Sequence, residues 1–395
     1  MSTKISFNLN NYQLTTLKAK SKLYSILNNV LTKAYFKLSK NSFEFCLRGG
    51  NGLIKTTIPI EYEGNEVYFS VDYSKWVVAL QKFENSEQIQ FSLGGNLLSL
   101  RENTNTDIIN LGIIKYDKDS SEADVIDNLI TRAGDEVKAR NNEMTLTEEL
   151  LDAFSLADSL FISQDKYNSI GLSKKDVMYS SRAIVMKIKL QEKLDDNLFK
   201  DLEEDESYIF IHSFVLKLLP LLSKFNSLVY FSEDYGIIYW SDSDTEMVFT
   251  SESRKVALPD ESQWEAIKPQ NSESYFEVGL EELAEGLSFF NGFYTGTVWK
   301  PITFEIEANK EVILTYKHPT TEITKTLNNV TSPYSGKFML NSEILEKLVN
   351  RIRNHYKEDR VDMLINYDDE AQGVYCSVGS GDYEMVLSKL TDDEE

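Results

Sequence analysis

"VYFSVDYSKWVVALQKFENSEQIQFSLGGNLLSLRENTNTDIINLGIIKY", residues 67–116, holds one complete structural unit. It opens with a short alternating run that ends at Asp72, and Trp76, Leu80 and Phe83 then recur at helical spacing. Three strand-like runs follow, separated by "LGGN" and "ENTNTD", whose Gly, Asn and Asp content is turn chemistry. The order is β-α-β-β-β.

The same order recurs along the chain, and a repeat decides architecture before any motif does. Residues 337–390, "KFMLNSEILEKLVNRIRNHYKEDRVDMLINYDDEAQGVYCSVGSGDYEMVLSKL", again read strand, polar cap at Asn341 or Ser342, helix and three strands. An Asn or Ser side chain at such a point accepts a bond from an otherwise orphaned amide of the first turn. Residues 206–251 give a third copy, with Pro220 placed to kink or break its apolar helix. Half-units that match begin at "KISFNLNNYQLTTLKAK", at "NEMTLTEELLDAF" and at "SYFEVGLEELAEGL". The reading is α+β: six β-α-β-β-β units grouped in pairs, hence three domains of similar plan over 1–117, 141–258 and 259–395. The polar, acidic stretch 118–140 reads as a linker or insertion. "DLEEDE" at 201–206 and the tail "TDDEE" read as solvated loop and frayed end.

Composition agrees with a chain of this size folding around sizeable cores. There are 395 residues, 42% hydrophobic and 12% aromatic, and a prior of roughly 100 to 200 residues per domain allows two to four domains. The two cysteines, Cys46 and Cys376, form no C-x-x-C spacing, so neither a disulfide framework nor a zinc site is expected, and a reduced, cytoplasmic setting fits. No apolar run approaches the roughly 18 residues of a membrane span. With 41 Lys+Arg against 63 Asp+Glu the net charge is -22, which excludes a surface uniformly adhesive to DNA or anionic lipid unless the basic residues segregate.

Three tandem domains, each of two such halves, resemble the sliding clamps of DNA replication, in layout the three-domain bacterial type. "FMLNSEILEKLVNRI" (338–352) looks like the last helix-bearing half-unit of these clamps and "DYEMVLSKL" (382–390) like their terminal strand. "LPDESQWEAIKP" (258–269) resembles their connection between the second and third domains, and "SQDKYNSIGL" (163–172) the strand after the first helix of their middle domain. The resemblance implies the DNA-clamp fold, with helices lining a ring of about six domains and sheets outside. Three domains per chain then imply a homodimer. It further implies sequence-independent binding of double-stranded DNA, a DNA polymerase as partner, a clamp-loader ATPase, and no cofactor. The acidic 118–140 stretch and the divergent ending fit a viral (phage) or otherwise divergent clamp, which would work in the host cytoplasm.

If helices face DNA, positive charge belongs opposite their apolar stripes. At roughly 100° per residue, Leu345, Leu348, Ile352 and Tyr356 share one side of "LEKLVNRIRNHYK", with Lys347, Arg351 and Lys357 on or near the other and Arg353 in the same basic run. Lys75 and Lys82 lie seven apart, as do Lys217 and Lys224, and the first helix adds Lys18, Lys20 and Lys22. A charged stripe opposite an apolar one is also what any solvated helix face shows. "TEELLDAFSLADSLF" and "LEELAEGLSFF" carry acid and almost no base, a departure from a uniformly basic lining.

Family clamps take a short partner peptide into an apolar pocket between the middle and last domains. Carried over by position, the pocket residues are Ile170, Ser181, Ile184, Pro259, Trp264, Met385, Val386 and Leu387, each of which ordinary packing would equally explain. "MVLSKL" replaces the family's proline-containing ending. No enzyme is expected: there is no G-x-x-x-x-G-K-[ST] loop, "RGGNG" at 48–52 reads as a hairpin turn, and His212, His318 and His355 form no H-E-x-x-H. The competing reading is a multidomain structural or adaptor protein, such as one of a virus particle.

Overall fold

The computed structural model describes residues 5–26, 33–49, 52–83, 85–102, 107–139, 142–160, 168–202, 208–232, 234–250, 258–268, 274–294, 300–356, 361–367 and 372–390. Six β-α-β-β-β units follow one another. The first pair is β1 (Ile5–Asn10), α1 (Asn11–Ile26), β2 (Lys33–Leu38), β3 (Ser42–Arg48) and β4 (Gly52–Pro59), then β5 (Val67–Asp72), α2 (Tyr73–Lys82), β6 (Gln88–Gly94), β7 (Leu97–Glu102) and β8 (Ile108–Tyr116). Two short helices, α3 (Ser121–Asp124) and α4 (Ile130–Lys138), flank a π-helical turn at Val125–Leu129. The second pair is β9 (Glu143–Thr145), α5 (Glu148–Ser159), β10 (Ser169–Leu172), β11 (Asp176–Ser180) and β12 (Ile184–Lys189), then β13 (Ile209–Phe210), α6 (Ser213–Leu222), β14 (Leu228–Phe231), β15 (Ile237–Ser241) and β16 (Thr245–Thr250). After α7 (Glu261–Ile267) come β17 (Tyr275–Gly279), α8 (Leu280–Ser288), β18 (Pro301–Ile306), β19 (Glu311–His318) and β20 (Thr321–Thr331). The last unit is β21 (Gly336–Asn341), α9 (Ser342–Tyr356), β22 (Asp362–Asn366), β23 (Gly373–Val378) and β24 (Tyr383–Ser388).

Local chemistry explains these boundaries. Asp72 caps α2, its carboxylate accepting from Lys75 N at 3.1 Å, and Asn341 accepts from Glu343 N at 3.0 Å at the start of α9. The turn between β6 and β7 needs a left-handed backbone, which Gly95 supplies at φ 56°. Gly49 N donates to Gly52 O between β3 and β4, in the hairpin expected there. Pro220 falls in the last turn of α6, where it removes the i→i−4 bond to the Leu216 carbonyl, and the helix ends two residues later.

The units exchange strands in pairs. β1 completes the sheet of β6 and β5 that of β2; β9 joins β14 while β13 joins β10; β17 joins β22 while β21 joins β18, all antiparallel. Each three-stranded run would otherwise expose a row of unpaired backbone groups on that side, and the first strand of the other half covers them. Among the described residues three sheets result: twelve strands from β1 to β9, eight from β13 to β17, and four in the order β20-β19-β18-β21. The first two are continuous because β16 pairs with β4 and β24 with β12.

Contacts divide the chain into two compact units, one of residues 1–147, 195–201 and 217–252 and the other of 148–194, 202–216 and 253–395. In the first, Phe36, Phe45 and Phe91 pack on the fully buried Trp76 of α2, with the Phe36 ring 4.9 Å from the indole, edge-on. Truncating Trp76 to Ala would cost about 3–5 kcal/mol. Period-two alternation sends Phe43, Phe45 and Leu47 of β3 to this face and Glu44 and Cys46 to the other.

That other face is covered by the stretch expected as a linker or insertion. Ala123, Ile126 and Ile130 pack on Cys46, Leu53 and Tyr68. Asp127, in the π turn, is held by Lys37 Nζ at 2.7 Å and by the Tyr68 hydroxyl at 2.7 Å, and Lys55 Nζ donates to Ile126 O at 3.0 Å. The apolar spacing 123, 126, 130, 137 is helical and lay hidden among acidic neighbours.

Candidate nucleic-acid interface and partner seat

Five of the expected DNA-facing cations stand exposed without an ion pair among the described residues: Lys75 and Lys82 on α2, Lys217 on α6, Lys224 just past it, and Arg351 on α9. Lys347 is half exposed and reaches Glu343 at 2.9 Å, one turn back on α9; Arg353 is partly buried. The buried stripe of α9 is Ile344, Leu345, Leu348, Val349 and Ile352, so its cations do segregate from its apolar side. The side chains of Lys18 and Lys22, and residue Lys357, lie outside the described residues.

Lys20 departs from this set. It is 2% exposed, ion-paired to Asp242 and to Asp244 at 3.1 Å, with its ammonium 4.4 Å from the Phe225 ring centre. A stripe four residues apart in sequence cannot reveal two carboxylates more than two hundred residues away, the nearer in sequence by 222. Beside it opens a cavity of about 700 Å³ whose lining includes Tyr12, Lys224, Phe225, Asp242 and Asp244. The helices α5 and α8 present Glu148, Glu149, Glu281 and Glu282 in their first turns, as their sequences predicted.

The eight candidate pocket residues do not share one surface. Across β11, β12 and β24 the register pairs Tyr179 with Met186 and Met186 with Met385, so this row points to one face. Ile170, Ile184, Met385 and Leu387 are on that face, all buried. The next row, Ser180–Val185–Val386–Tyr375, points to the opposite face. Ser181 is in the β11–β12 turn and accepts from Ala183 N and Ile184 N at 3.3 Å. A one-residue step in a strand reverses the side chain, and naming Met385, Val386 and Leu387 together therefore mixes both faces.

On the Val386 face, α7 is docked. Trp264, fully buried, packs with Met178, Tyr208 and Leu258 over Val185, Phe210, Tyr375 and Val386. Leu258 and Tyr208 approach so closely that a Cβ at Gly171 would meet them at 2.4 and 2.9 Å. Pro259 is half-buried, and its carbonyl accepts from the Tyr208 hydroxyl at 3.1 Å. At the rim, Glu384 accepts from Trp264 Nε1 at 3.3 Å, from Lys268 at 2.8 Å and from the Tyr375 hydroxyl at 2.6 Å. Burial alone would push the Glu384 carboxyl up, but the bonds from Lys268 and Tyr375 outweigh it and hold the carboxyl below its ordinary value; the Tyr375 phenol is pushed up by burial and by Glu384. Lys187, itself buried, spans Asp176 at 3.7 Å and Glu261 at 2.9 Å. Met178, Tyr375 and Glu384 were absent from the sequence-based set; Glu384 had the signal of lying two residues before Val386 in a strand, and Met178 and Tyr375 had none.

No protein-family model and no curated protein sequence matches the chain. Solved structures do. A putative DNA polymerase III beta subunit from Eubacterium rectale matches with TM-score 0.72 and 10% identity over 98% of this chain and 100% of that one. The beta subunit from Thermotoga maritima gives TM-score 0.70 and 15% identity, over 98% and 99%. A sliding clamp from Bartonella birtlesii, solved bound to griselimycin, gives TM-score 0.73 and 10% identity, over 98% and 100%.

The chain has the sliding-clamp fold. Within that fold, Glu384 sits in the strand next to β12 and ties Trp264 and Lys268 of the α7 segment to the sheet. Among the described residues of this clamp-fold chain no three His, Cys, Asp or Glu side chains gather in a metal-holding group, and no helix is long and apolar enough to cross a membrane. Both thiols are buried, and burial pushes that of Cys46 up to about 12.

Proposed function

We propose that the protein is a replication sliding clamp: a non-catalytic homodimeric ring around duplex DNA that tethers a polymerase and is loaded by a separate ATPase. Its domains would span 1–117, 141–258 and 259–395, joined by the 118–140 cover. The observation that carries the reading is a pair of strands left over by the sheet pattern. β4 pairs with β16, and β12 with β24: each time the last strand of one domain's first half meets the last strand of the next domain's second half. Continued once more, the rule asks for β20 to meet β8 of another copy. β20 is an edge strand, and Ile108–Gly112 of β8 has β7 as its only strand neighbour among the described residues. Exposed Phe289 and Phe293, the former beside Lys325 of β20, and exposed Ile108 on β8 provide apolar surface for such a junction. A head-to-tail contact of this kind closes when the rotation allows, and about six domains close with two copies.

Lys75, Lys82, Lys217, Lys224, Lys347 and Arg351 would meet phosphates, each contact diffuse and salt-dependent. Acidic residues elsewhere discourage DNA from adhering outside the ring. The test is retention on circular against linearised duplex DNA after loading, with mass measurement and negative-stain imaging of the free protein. A ring that stays on circles and slips off linear ends supports the proposal; a monomer or an open filament supports the structural-adaptor reading instead.

A further inference from the structure

We infer that duplex DNA is met by the second helix of each domain alone, α2, α6 and α9, and that the first helices act as acidic spacers between these contacts. This rests on the encirclement reading of the proposed function and divides the lining of that ring into attracting and repelling halves.

Free positive charge follows the half-unit. Each second helix offers at least one exposed cation without an ion pair among the described residues: Lys75 and Lys82 on α2, Lys217 on α6, Arg351 on α9. On α2 the two lysines lie two turns apart with exposed Val78 between them, one solvent-facing stripe opposite the buried Trp76, Ala79 and Leu80. On α9 Lys347 and Arg351 stand one turn apart, away from the buried Leu345, Leu348 and Ile352.

The first helices offer no such cation among the described side chains. α5 and α8 contain no Lys or Arg, and they expose Glu148 on α5 and Glu281 and Glu285 on α8, the last two one turn apart and opposite the buried Leu283 and Leu287. α1 is the exception in sequence, with Lys18, Lys20 and Lys22. Yet Lys20, whose side chain is the described one of the three, is withdrawn from solvent by Asp242 and Asp244. Those carboxylates come from the turn between β15 and β16, so the tertiary fold cancels a charge that the sequence of α1 displays. Carboxylates facing phosphates repel them within a Debye length, about 10 Å at 0.1 M salt. Alternation of sign between first and second helices then limits phosphate contacts to three helices per chain. Affinity stays low, and the closed ring supplies retention.

Two double variants, each removing four charges from a homodimer, test the division by equilibrium binding to an end-labelled linear duplex, whose open ends admit a ring without a loader. Lys217→Gln/Arg351→Gln should flatten the slope of log K against log salt by about 3.6. Glu148→Gln/Glu281→Gln should bind several-fold more tightly at about 50 mM salt, and the gain should vanish at about 1 M, where charges are screened within ~3 Å. All four side chains are exposed, so folding is not the variable. An unchanged slope in the first variant overturns the inference, and so does unchanged affinity in the second. Retention of the wild type on circular DNA is measured separately. Retention with neither shift leaves encirclement standing and refutes the division; both shifts without retention leave the division standing and refute encirclement.

Discussion

Replacing Phe289 by lysine tests the head-to-tail junction. Phe289 is 47% exposed, its ring 6.5 Å from that of Phe293, with the Lys325 ammonium 5.8 Å away on the edge strand β20. Burying the exposed half of a phenyl ring contributes about 1 kcal/mol, half of the ~1.5–3 kcal/mol for a whole large apolar side chain. A lysine removes this and brings a second ammonium beside Lys325, which costs a further ~2 kcal/mol if the junction desolvates it. A two-copy ring has two such junctions, so roughly 3 kcal/mol counts twice. At about 1.4 kcal/mol per factor of ten, the dimer should weaken by some four orders of magnitude. Sedimentation or mass photometry from nanomolar to micromolar protein reads this directly. Phe289→Leu should remain within about tenfold of wild type, since it keeps most of the apolar area. A Phe289→Lys protein that dimerises like the wild type would falsify the junction, and so would a wild type that is monomeric throughout.

Neutralising Lys75 and Lys82 together removes four cations from a homodimer, so if each meets one phosphate the slope of log K against log salt should flatten by about 3.6; an unchanged slope removes α2 from the DNA face. Asp127→Asn should lower the melting temperature at pH 7. Although burial opposes it, the bonds from Lys37 and Tyr68 hold the Asp127 carboxyl below its ordinary value. Its contribution is therefore present above the unfolded pKa of about 3.9 and is lost as pH falls through the folded value. The gap between wild type and variant should narrow on acidification, and a constant gap contradicts the assignment. Gly171→Ala places a methyl 2.4 Å from Leu258 and 2.9 Å from Tyr208, which should cost about 1–3 kcal/mol in urea unfolding; a neutral result would mean that the α7 segment lifts freely from β10.

Much of the architecture was legible because helix and strand periods are local. Trp76, Leu80 and Phe83 announced α2, and the unit order could be read six times without knowing any contact. The exposure of Lys75, Lys82 and Arg351 follows from the same periods. The 118–140 cover was missed because its apolar residues are few and its acidic ones many, although its helical spacing was present.

What the sequence by itself determined was which faces are apolar and in what order the elements come, since both depend on neighbours within a few residues. Which strand completes which sheet, that Lys20 is spent on Asp242 and Asp244, and that Trp264 finds Glu384 120 residues away were decided only by tertiary structure. Backbone edges accept any strand, and a carboxylate accepts any donor. The choice among them is made when buried groups must be satisfied together, a condition on the whole fold and not on a segment.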